Sequence, residues 1–348
     1  MMLSLMEQEA RTVPQIVTAQ FAANQHLLME LSSRLRSAQP RMAITLARGS
    51  SNHAATFAKY LLEIGAGIMT ATAAPSVFTL YRKTLPVKNC LVLGISQSGA
   101  SPDITETMTA MRQAGAITVA LTNVTDSALA TAAEYTVPLC AGQEQAVAAT
   151  KTYLATLSAL IHFVAALTQD KKLLQALTEL PTALHSALQQ DWSSAITEYQ
   201  HAHNTFVVGR GLGYPIAEEA ALKFKETAKI HAEAFSGAEL LHGPFALVEK
   251  HFPLLLFAQQ DESFAGMLAI AKRVHAIGAR VMIASPEHTV DLRNEPEFIQ
   301  LPMPQGLHPI CDPLMMIQAF YIMMARLSVA RGFNPDVPFN LTKVTKTW

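Results

Sequence analysis

Cysteines and charged residues are scarce in this sequence. Its three cysteines lie far apart in 348 residues and form no CxxC pair, which disfavours both a disulfide framework and a cysteine-based zinc site. Charged residues make up 15% of the chain, and 26 lysines and arginines balance 27 aspartates and glutamates. The basic excess that attracts nucleic acid or an anionic membrane is therefore missing. These counts favour small-molecule chemistry and predict no nucleic-acid partner.

Long uninterrupted apolar runs are also absent. The two most apolar stretches, 153–168 and 314–327, contain polar residues and are shorter than the ~20 residues of a membrane span. The first residues lack the basic start and apolar core of a secretory signal. We therefore expect a cytoplasmic protein that does not contact a membrane.

Half of the residues are hydrophobic, which is a high share for a chain with so little charge. This balance predicts that part of the surface is buried between subunits of a homo-oligomer. A length of 348 residues favours two domains of roughly 150 residues each.

An internal repeat with a period of 162 to 163 residues supports the two-domain prediction. ARG at 47–49 matches GRG at 209–211, and SQSGAS at 96–101 matches AQQDES at 258–263. In each copy, apolar runs end in glycine or serine and precede helical periodicity, which predicts a parallel α/β fold. Residues 147–201, rich in alanine and leucine without glycine, predict two or three helices that connect the copies. Because hydroxyl residues in the first copy stand where acidic ones stand in the second, we expect the first to bind and the second to catalyse.

The loop Ser96–Ser101 predicts a phosphate site in the first copy. It follows a buried strand and precedes a helix that starts near Pro102, so hydroxyls, the Gln97 amide and backbone N–H groups meet at the positive end of a helix dipole. The alternative is an ordinary serine N-cap, which needs one serine and not three. The loop has no lysine or arginine, and GxxxxGK[ST] is missing, which favours a single terminal phosphate over a nucleotide. The turn Gly49–Asn52 is expected beside this loop at the carboxyl edge of the sheet.

Ionisable residues in the second copy predict proton-transfer chemistry. Residues 231–244 read HAEAFSGAELLHGP, but the PCxxC of zinc deaminases and the second ExxH of di-iron proteins are missing, so no metal is expected. Glutamate and histidine in a partly apolar setting are easily tuned to move protons near neutral pH. On the preceding helix, Glu219, Lys223 and Glu226 share one face, which allows Lys223 to pair with either carboxylate. The alternative is a solvated run of charges.

Six motifs in order give the chain a resemblance to a known family. The motifs are RGSS, SQSGAS, GQEQAVAATK, GRGLGYPIAEEAALKFKE, HAEAFSGAELLHGP and NLTKVTKT. Together they resemble double sugar isomerase (SIS) domain proteins, a family that includes the isomerase half of glutamine-fructose-6-phosphate amidotransferase. The resemblance covers essentially the whole chain and implies two tandem SIS domains, each a flavodoxin-like three-layer sandwich. The implied bounds are 1–195 for the first domain, 196–339 for the second, and 340–348 for a tail that closes over the site.

The resemblance also implies roles for individual residues. Those implied to bind substrate are Ser96, Gln97, Ser98 and Ser101 for the 6-phosphate, Ser50 and Ser51 for the sugar, and Val147 through its backbone. Those implied to be catalytic are Glu226 as the base between C1 and C2, Lys223 as its support, His242 for ring opening, and Lys343 as the amine beside the open-chain carbonyl. His231, Glu233 and Glu239 are expected to form a hydrogen-bonded shell around His242. Each site of a homodimer is expected to combine Glu226 of one chain with His242 of the other.

The sequence contains no glutaminase half and no N-terminal nucleophilic cysteine, so we expect the chemistry to run toward ammonia release. The expected activity is that of a glucosamine-6-phosphate deaminase, which gives fructose 6-phosphate without metal or cofactor. Three alternatives stay open: cleavage of a fructosamine 6-phosphate, deamination of galactosamine 6-phosphate, and plain isomerisation of an aldose and ketose phosphate. A sugar-phosphate sensor of a transcription regulator is disfavoured, because no helix-turn-helix segment or basic patch is visible.

Overall fold

The computed structural model describes residues 3–286 and 297–343. These residues form two compact units that interleave along the chain. The sheet-1 unit contains 15–144, 151–178 and the described end of the tail, and the sheet-2 unit contains the described parts of 1–14, 145–150 and 179–341. The predicted domain bounds at 195 and 339 stay predictions.

Each unit contains a five-stranded parallel sheet. The sheet-1 strands are β1 (Met42–Leu46), β2 (Met69–Thr72), β3 (Leu91–Ser96), β4 (Ile117–Thr122) and β5 (Tyr135–Pro138). The sheet-2 strands are β6 (Asn204–Gly209), β7 (His231–Ser236), β8 (Pro253–Phe257), β9 (Arg280–Ala284) and β10 (Ile299–Leu301). Their spatial orders are β2-β1-β3-β4-β5 and β10-β9-β8-β6-β7, which is the same connectivity twice. The predicted α/β fold and its repeat are confirmed.

Helices cover both sheets and connect the two copies. In the described residues they are α1 (Leu5–Arg11), α2 (Val13–Ala38), α3 (Ser50–Ala66), α4 (Pro75–Thr79), α5 (Pro102–Gln113), α6 (Ala128–Ala132), α7 (Lys151–Thr168), α8 (Lys171–Ala187), α9 (Ser193–Tyr199), α10 (Gly213–Ala228), α11 (Gly237–Leu240), α12 (Phe264–His275) and α13 (Asp312–Ala330). A 3₁₀ turn spans Pro244–Leu247. The predicted connecting helices are confirmed as α7, α8 and α9.

Apolar runs build the core of each unit. The sequence ITVALT of β4 is buried at every position, and so are the last four residues of β8. Strands buried on both faces are typical of parallel sheets covered by helices. Two helices in the described residues, α7 and α13, are long and apolar enough to span a membrane, but 89% and 83% of their most apolar windows are buried inside the protein. They are therefore core helices.

The strand order leaves one crevice at the carboxyl edge of each sheet. From β1 the chain moves to β2 on one side and then to β3 on the other, and the same reversal separates β6 from β8. Ligands of open α/β sheets bind where the strand order reverses. The sheet-1 crevice is bordered by residues 47–51 and 96–101, and the sheet-2 crevice by 210–212 and 258–263.

Candidate functional site

A hydroxyl-rich loop borders the sheet-1 crevice, where β3 gives way to α5 as predicted. Ser96 Oγ accepts a hydrogen bond from the Gly99 N–H at 3.1 Å, and Ser98 Oγ accepts one from the N–H two residues later at 3.4 Å. Ser101 is the N-cap residue of α5, yet its hydroxyl caps no backbone group in the described part of the chain. The Ser101 hydroxyl is therefore available to an anion at the positive end of the helix.

Contacts with neighbouring residues fix the backbone of this loop. Gly99 has a φ of +61°, and a Cβ at this position would collide with the Ser127 side chain. The backbone carbonyl oxygen of Gln97 accepts a hydrogen bond from the backbone N–H of Asn123 at 3.2 Å. The predicted phosphate ligands Ser96, Gln97, Ser98 and Ser101 are all half-buried. Their side chains therefore follow one fixed loop whose surface stays open to solvent.

A charged pair that the sequence reasoning missed lies beside the loop. Arg48 follows β1, and its Nε and Nη2 lie 3.0 and 2.8 Å from Oδ2 of the buried Asp103 on α5. The loop itself has no cation, as predicted, but the pairing of β1 with β3 brings Arg48 to its side. Because Arg48 is half-exposed, it adds positive charge at the crevice that Asp103 offsets in part.

The second hydroxyl-rich turn lies at the same edge of the sheet. Gly49, with a φ of +54°, precedes Ser50 and Ser51, which open α3 and are half-buried. Since β1 and β3 are neighbours, this turn lies beside the loop after β3, as predicted.

Side chains that border the sheet-2 crevice bind one another. Gln259 Nε2 donates to the Arg210 oxygen at 2.6 Å and to Asp261 Oδ2 at 2.9 Å. Asp261 Oδ1 accepts from the N–H and the hydroxyl of Ser263 at 2.8 and 2.5 Å. The Asp261 carboxylate therefore lies at the N-terminal end of α12, where an anionic ligand would otherwise bind. The two copies differ in chemistry, as predicted.

A buried lysine joins two glutamates on α10. Lys223 Nζ lies 2.6 Å from Glu226 Oε2 and 3.2 Å from Glu219 Oε1. The Tyr321 hydroxyl of α13 donates to Glu219 Oε1 at 3.1 Å. The predicted pairing of Lys223 with either carboxylate is confirmed. The alternative of a solvated charge run is wrong, because the side chains of Lys223 and Glu219 are only 1% and 0% exposed.

Among these three groups, Glu226 alone reaches solvent, with its side chain 20% exposed. Burial by itself lowers the pKa of Lys223, but the negative charges of Glu219 and Glu226 outweigh this effect and raise that pKa. Lys223 therefore stays protonated at neutral pH and holds Glu226 by a charged hydrogen bond. A carboxylate fixed in this way and open to solvent can accept a proton from carbon and return it.

The HAEAFSGAELLHGP stretch forms β7, α11 and the turn that follows them. His242 is exposed on this turn, and its imidazole makes no hydrogen bond or ion pair with the described residues. The side chains of His231, Glu233 and Glu239 are also exposed and make none within the same ranges. The structure therefore does not show the expected shell around His242. His231 and Glu233 lie on β7, an edge strand whose alternate side chains point to solvent.

Lys343 pairs with a glutamate that the sequence reasoning missed. Its Nζ lies 3.3 Å from Oε2 of Glu144, whose side chain is fully buried. Glu144 Oε1 also accepts from the Thr152 N–H at 3.3 Å, at the start of α7. The sequence signal for Glu144 was its place in the motif GQEQAVAATK. The rest of the predicted closing tail, 344–348, lies outside the described residues.

Val147 lies in a short segment of the sheet-2 unit. Its N–H donates to the backbone carbonyl oxygen of Asp336 at 3.0 Å. The side-chain carboxylate of Asp336 accepts from the N–H groups of Leu5 and Met6 at 2.9 and 2.8 Å. A substrate contact through the Val147 backbone would therefore use its carbonyl.

In the described ranges, no three His, Cys, Asp or Glu side chains are grouped so that they could hold a metal ion.

Comparison with known sequences identifies the family. The SIS domain family model matches residues 37–166 and 198–323. A glutamine–fructose-6-phosphate aminotransferase (isomerizing) from Aquifex aeolicus is 31% identical over 306 residues, which cover 87% of this chain and 51% of that protein. The enzyme of the same name from Aeropyrum pernix is 35% identical over 308 residues, covering 85% and 49%. The chain spans about half the length of the curated relatives it matches.

Solved structures agree with this result. A crystal structure from Silicibacter pomeroyi, of a protein assigned to the phosphosugar isomerases, has a TM-score of 0.90 and 35% identity, covering 96% of this chain and 100% of the other. The C-terminal domain of glucosamine-fructose-6-phosphate aminotransferase from Francisella tularensis has a TM-score of 0.86 and 26% identity, covering 96% and 98%. Glucosamine-6-phosphate deaminase from Thermotoga maritima, at 17% identity and a TM-score of 0.75 over 99% and 100%, shares the fold. With a family match in each sheet unit, the chain belongs to the SIS domain family.

Proposed function

We propose that this SIS-family protein is a glucosamine-6-phosphate deaminase. The observation that carries the proposal is the pair formed by Lys223 and Glu226, in which a buried cation holds a solvent-reaching carboxylate at 2.6 Å. Such a base suits transfer of a proton between adjacent carbons of a sugar. The curated relatives support this chemistry, because their names describe isomerisation of a fructose 6-phosphate and transfer of an amino group.

Substrate binding is assigned to the hydroxyl-rich loops. The residues proposed to hold the 6-phosphate are Ser96, Gln97, Ser98 and Ser101, with Ser50, Ser51 and the Val147 carbonyl on the sugar. His242 is proposed to open the ring by moving a proton from the anomeric hydroxyl to the ring oxygen. The open-chain amino aldose then presents its C2 hydrogen to the base.

The chemical step is a proton transfer followed by hydrolysis. Glu226 removes the proton from C2, the electron pair shifts into an enolamine, and reprotonation at C1 gives the ketimine. Water then adds at C2, and ammonia leaves to give fructose 6-phosphate, so no oxidant or reductant is needed. The Lys343 ammonium is proposed to stabilise the negative charge that develops on the carbonyl oxygen during proton removal.

We propose that the enzyme is a cytoplasmic homodimer with no nucleic-acid or membrane partner, in which His242 serves the partner's Glu226. The exposure of the His242 side chain supports this assignment. A random mixture of Glu226→Gln and His242→Ala chains, each inactive alone, should recover about a quarter of normal activity, because about half the dimers are mixed and hold one intact site. A mixture that stays inactive despite proven subunit exchange would assign both residues to one chain.

Ammonia release from a panel of sugar phosphates tests the proposed activity. The panel contains glucosamine 6-phosphate, galactosamine 6-phosphate and a fructosamine 6-phosphate, each assayed with EDTA present. We expect ammonia and fructose 6-phosphate in equal amounts from glucosamine 6-phosphate, without loss of rate on chelation. Preference for either other substrate would replace the proposed specificity. Loss of activity in EDTA that zinc restores would contradict the metal-free mechanism.

A further inference from the structure

A pocket lies in the sheet-2 unit, beside the N-terminal end of α13. Its volume is about 210 Å³, and its lining residues are Gln260, Gln305, Gly306, Leu307, His308, Pro309 and Asp312. Gln260 belongs to the loop after β8, and the others lead from β10 into the first turn of α13. The pocket is therefore built at the carboxyl edge of sheet 2, and the proposed reaction uses none of its residues.

Asp312 is the charged group of this pocket. The residue is only 1% exposed. Its Oδ2 accepts a hydrogen bond from the Gln260 N–H at 3.1 Å, whereas Oδ1 is buried and has no hydrogen-bond partner among the described residues. Buried polar atoms are almost always paired, because leaving one unpaired costs the free energy of removing it from water. The Oδ1 atom therefore calls for a ligand that donates a proton or carries positive charge.

The electrostatics of the pocket favour positive charge. Burial raises the pKa of Asp312 to about 7; the hydrogen bond from Gln260 opposes this effect, and the negative charge of Asp261 adds to it. No lysine, arginine or histidine forms an ion pair with Asp312 within the described ranges. Above neutral pH the ionised carboxylate thus stands beside a second carboxylate and has no ion pair with a described cationic side chain, and His308 is the other titratable residue that lines the pocket. Two neighbouring carboxylates attract a mobile cation.

Gly306 lies directly against this oxygen. A Cβ on Gly306 would lie 2.9 Å from Asp312 Oδ1, closer than normal contact allows. The missing side chain leaves Oδ1 facing the loop that lines the pocket. A single carboxylate oxygen matches a single positive charge, whereas divalent metal sites combine several charged ligands.

We propose that this pocket binds a small monovalent cation, such as potassium, sodium or ammonium, through Asp312 Oδ1. A cation that binds only the folded protein raises the melting temperature with its concentration. The experiment measures melting at roughly pH 8.5, above the raised pKa, in about 100 mM potassium, sodium or ammonium chloride against choline chloride at equal ionic strength. We expect the wild type to melt at a higher temperature in at least one small cation than in choline.

Two variants and one control make the test specific. Asp312→Asn keeps the shape and an acceptor for Gln260 but removes the charge, and Gly306→Ala keeps the charge but blocks Oδ1. Both should lose the cation-dependent shift, and Asp312→Asn should melt in choline no lower than the wild type, since it buries no charge. Gly266→Ala is the control, because a Cβ there meets no described atom within 4 Å, and it should keep the shift. Equal melting of the wild type in all four salts, or a shift that survives in both variants, would overturn the proposal.

Discussion

Lys223→Met probes the buried charge cluster that positions the proposed base. In the wild type, the lysine neutralises Glu219, whose side chain is 0% exposed, and also contacts Glu226. Methionine has similar length but no charge, so Glu219 would keep its burial and lose its cation. Removing one partner of a buried ion pair destabilises a protein by about 3–5 kcal/mol. We expect a loss of this size in the free energy of unfolding.

Two further variants separate charge from packing. Glu226→Gln leaves Lys223 paired with Glu219, and Glu226 is partly exposed, so this change should cost about 1 kcal/mol or less. In Glu219→Gln/Lys223→Met both fully buried charges are removed, and most of the lost stability should return because the one charge left without its partner, Glu226, reaches solvent.

Urea denaturation of the wild type and these three variants, followed by circular dichroism, measures the effect. The reasoning is refuted if Lys223→Met loses less than about 1 kcal/mol, or if the double variant is no more stable than the single one.

Three other changes test the remaining parts of the site. Ser98→Ala should raise KM by about 10- to 100-fold with little change in kcat, because it removes one hydrogen bond to a charged phosphate. Glu226→Gln should instead lower kcat with little change in KM, and steady-state kinetics measures both variants. Glu144→Gln should lower kcat and leave the stability within about 1 kcal/mol of the wild type if Glu144 acts by orienting Lys343, and equal kcat would make the pair purely structural. The pKa of Asp312 is about 7 in the folded protein, above its value in the unfolded chain, so its contribution to stability is full in acid and is lost as pH rises through 7. Without a bound cation, Asp312→Asn should flatten this decline in the free energy of unfolding, measured by urea denaturation at several pH values. The same pH profile in the variant and the wild type would contradict the raised pKa.

The central strands of both sheets could be predicted from sequence because burial on both faces makes them continuous apolar runs. The edge strands β2, β5, β7 and β10 were not predicted. β2, with the sequence MTAT, has three exposed residues of four, so nothing in its local pattern marks it as a strand. Its pairing with β1 is a tertiary event that the segment by itself does not encode.

In the candidate site as well, contacts between residues close in sequence could be predicted, whereas contacts between distant residues could not. The contacts of Lys223 with Glu219 and Glu226 follow from helical spacing and were predicted, but their burial depends on α13, far along the chain. The contact of Arg48 with Asp103 spans 55 residues, and that of Lys343 with Glu144 spans 199. Pairs so far apart leave no periodic signal in one sequence.

The sheet-2 crevice shows a further limit. AQQDES in place of SQSGAS predicted different chemistry in the second copy. The sequence did not show that Asp261 turns inward to bind Ser263 and Gln259, because side-chain direction in a loop depends on the packed neighbours.

The most direct test of the central claim follows the hydrogen on C2 of the substrate. Glucosamine 6-phosphate carrying deuterium at C2 is incubated with the wild type and with Glu226→Gln, and deuterium NMR records where the label goes. The proposed mechanism predicts that the wild type moves the label from C2 to C1 of fructose 6-phosphate or to water, while Glu226→Gln leaves it on C2. Label transfer by Glu226→Gln at the wild-type rate would contradict the assignment of Glu226 as the base.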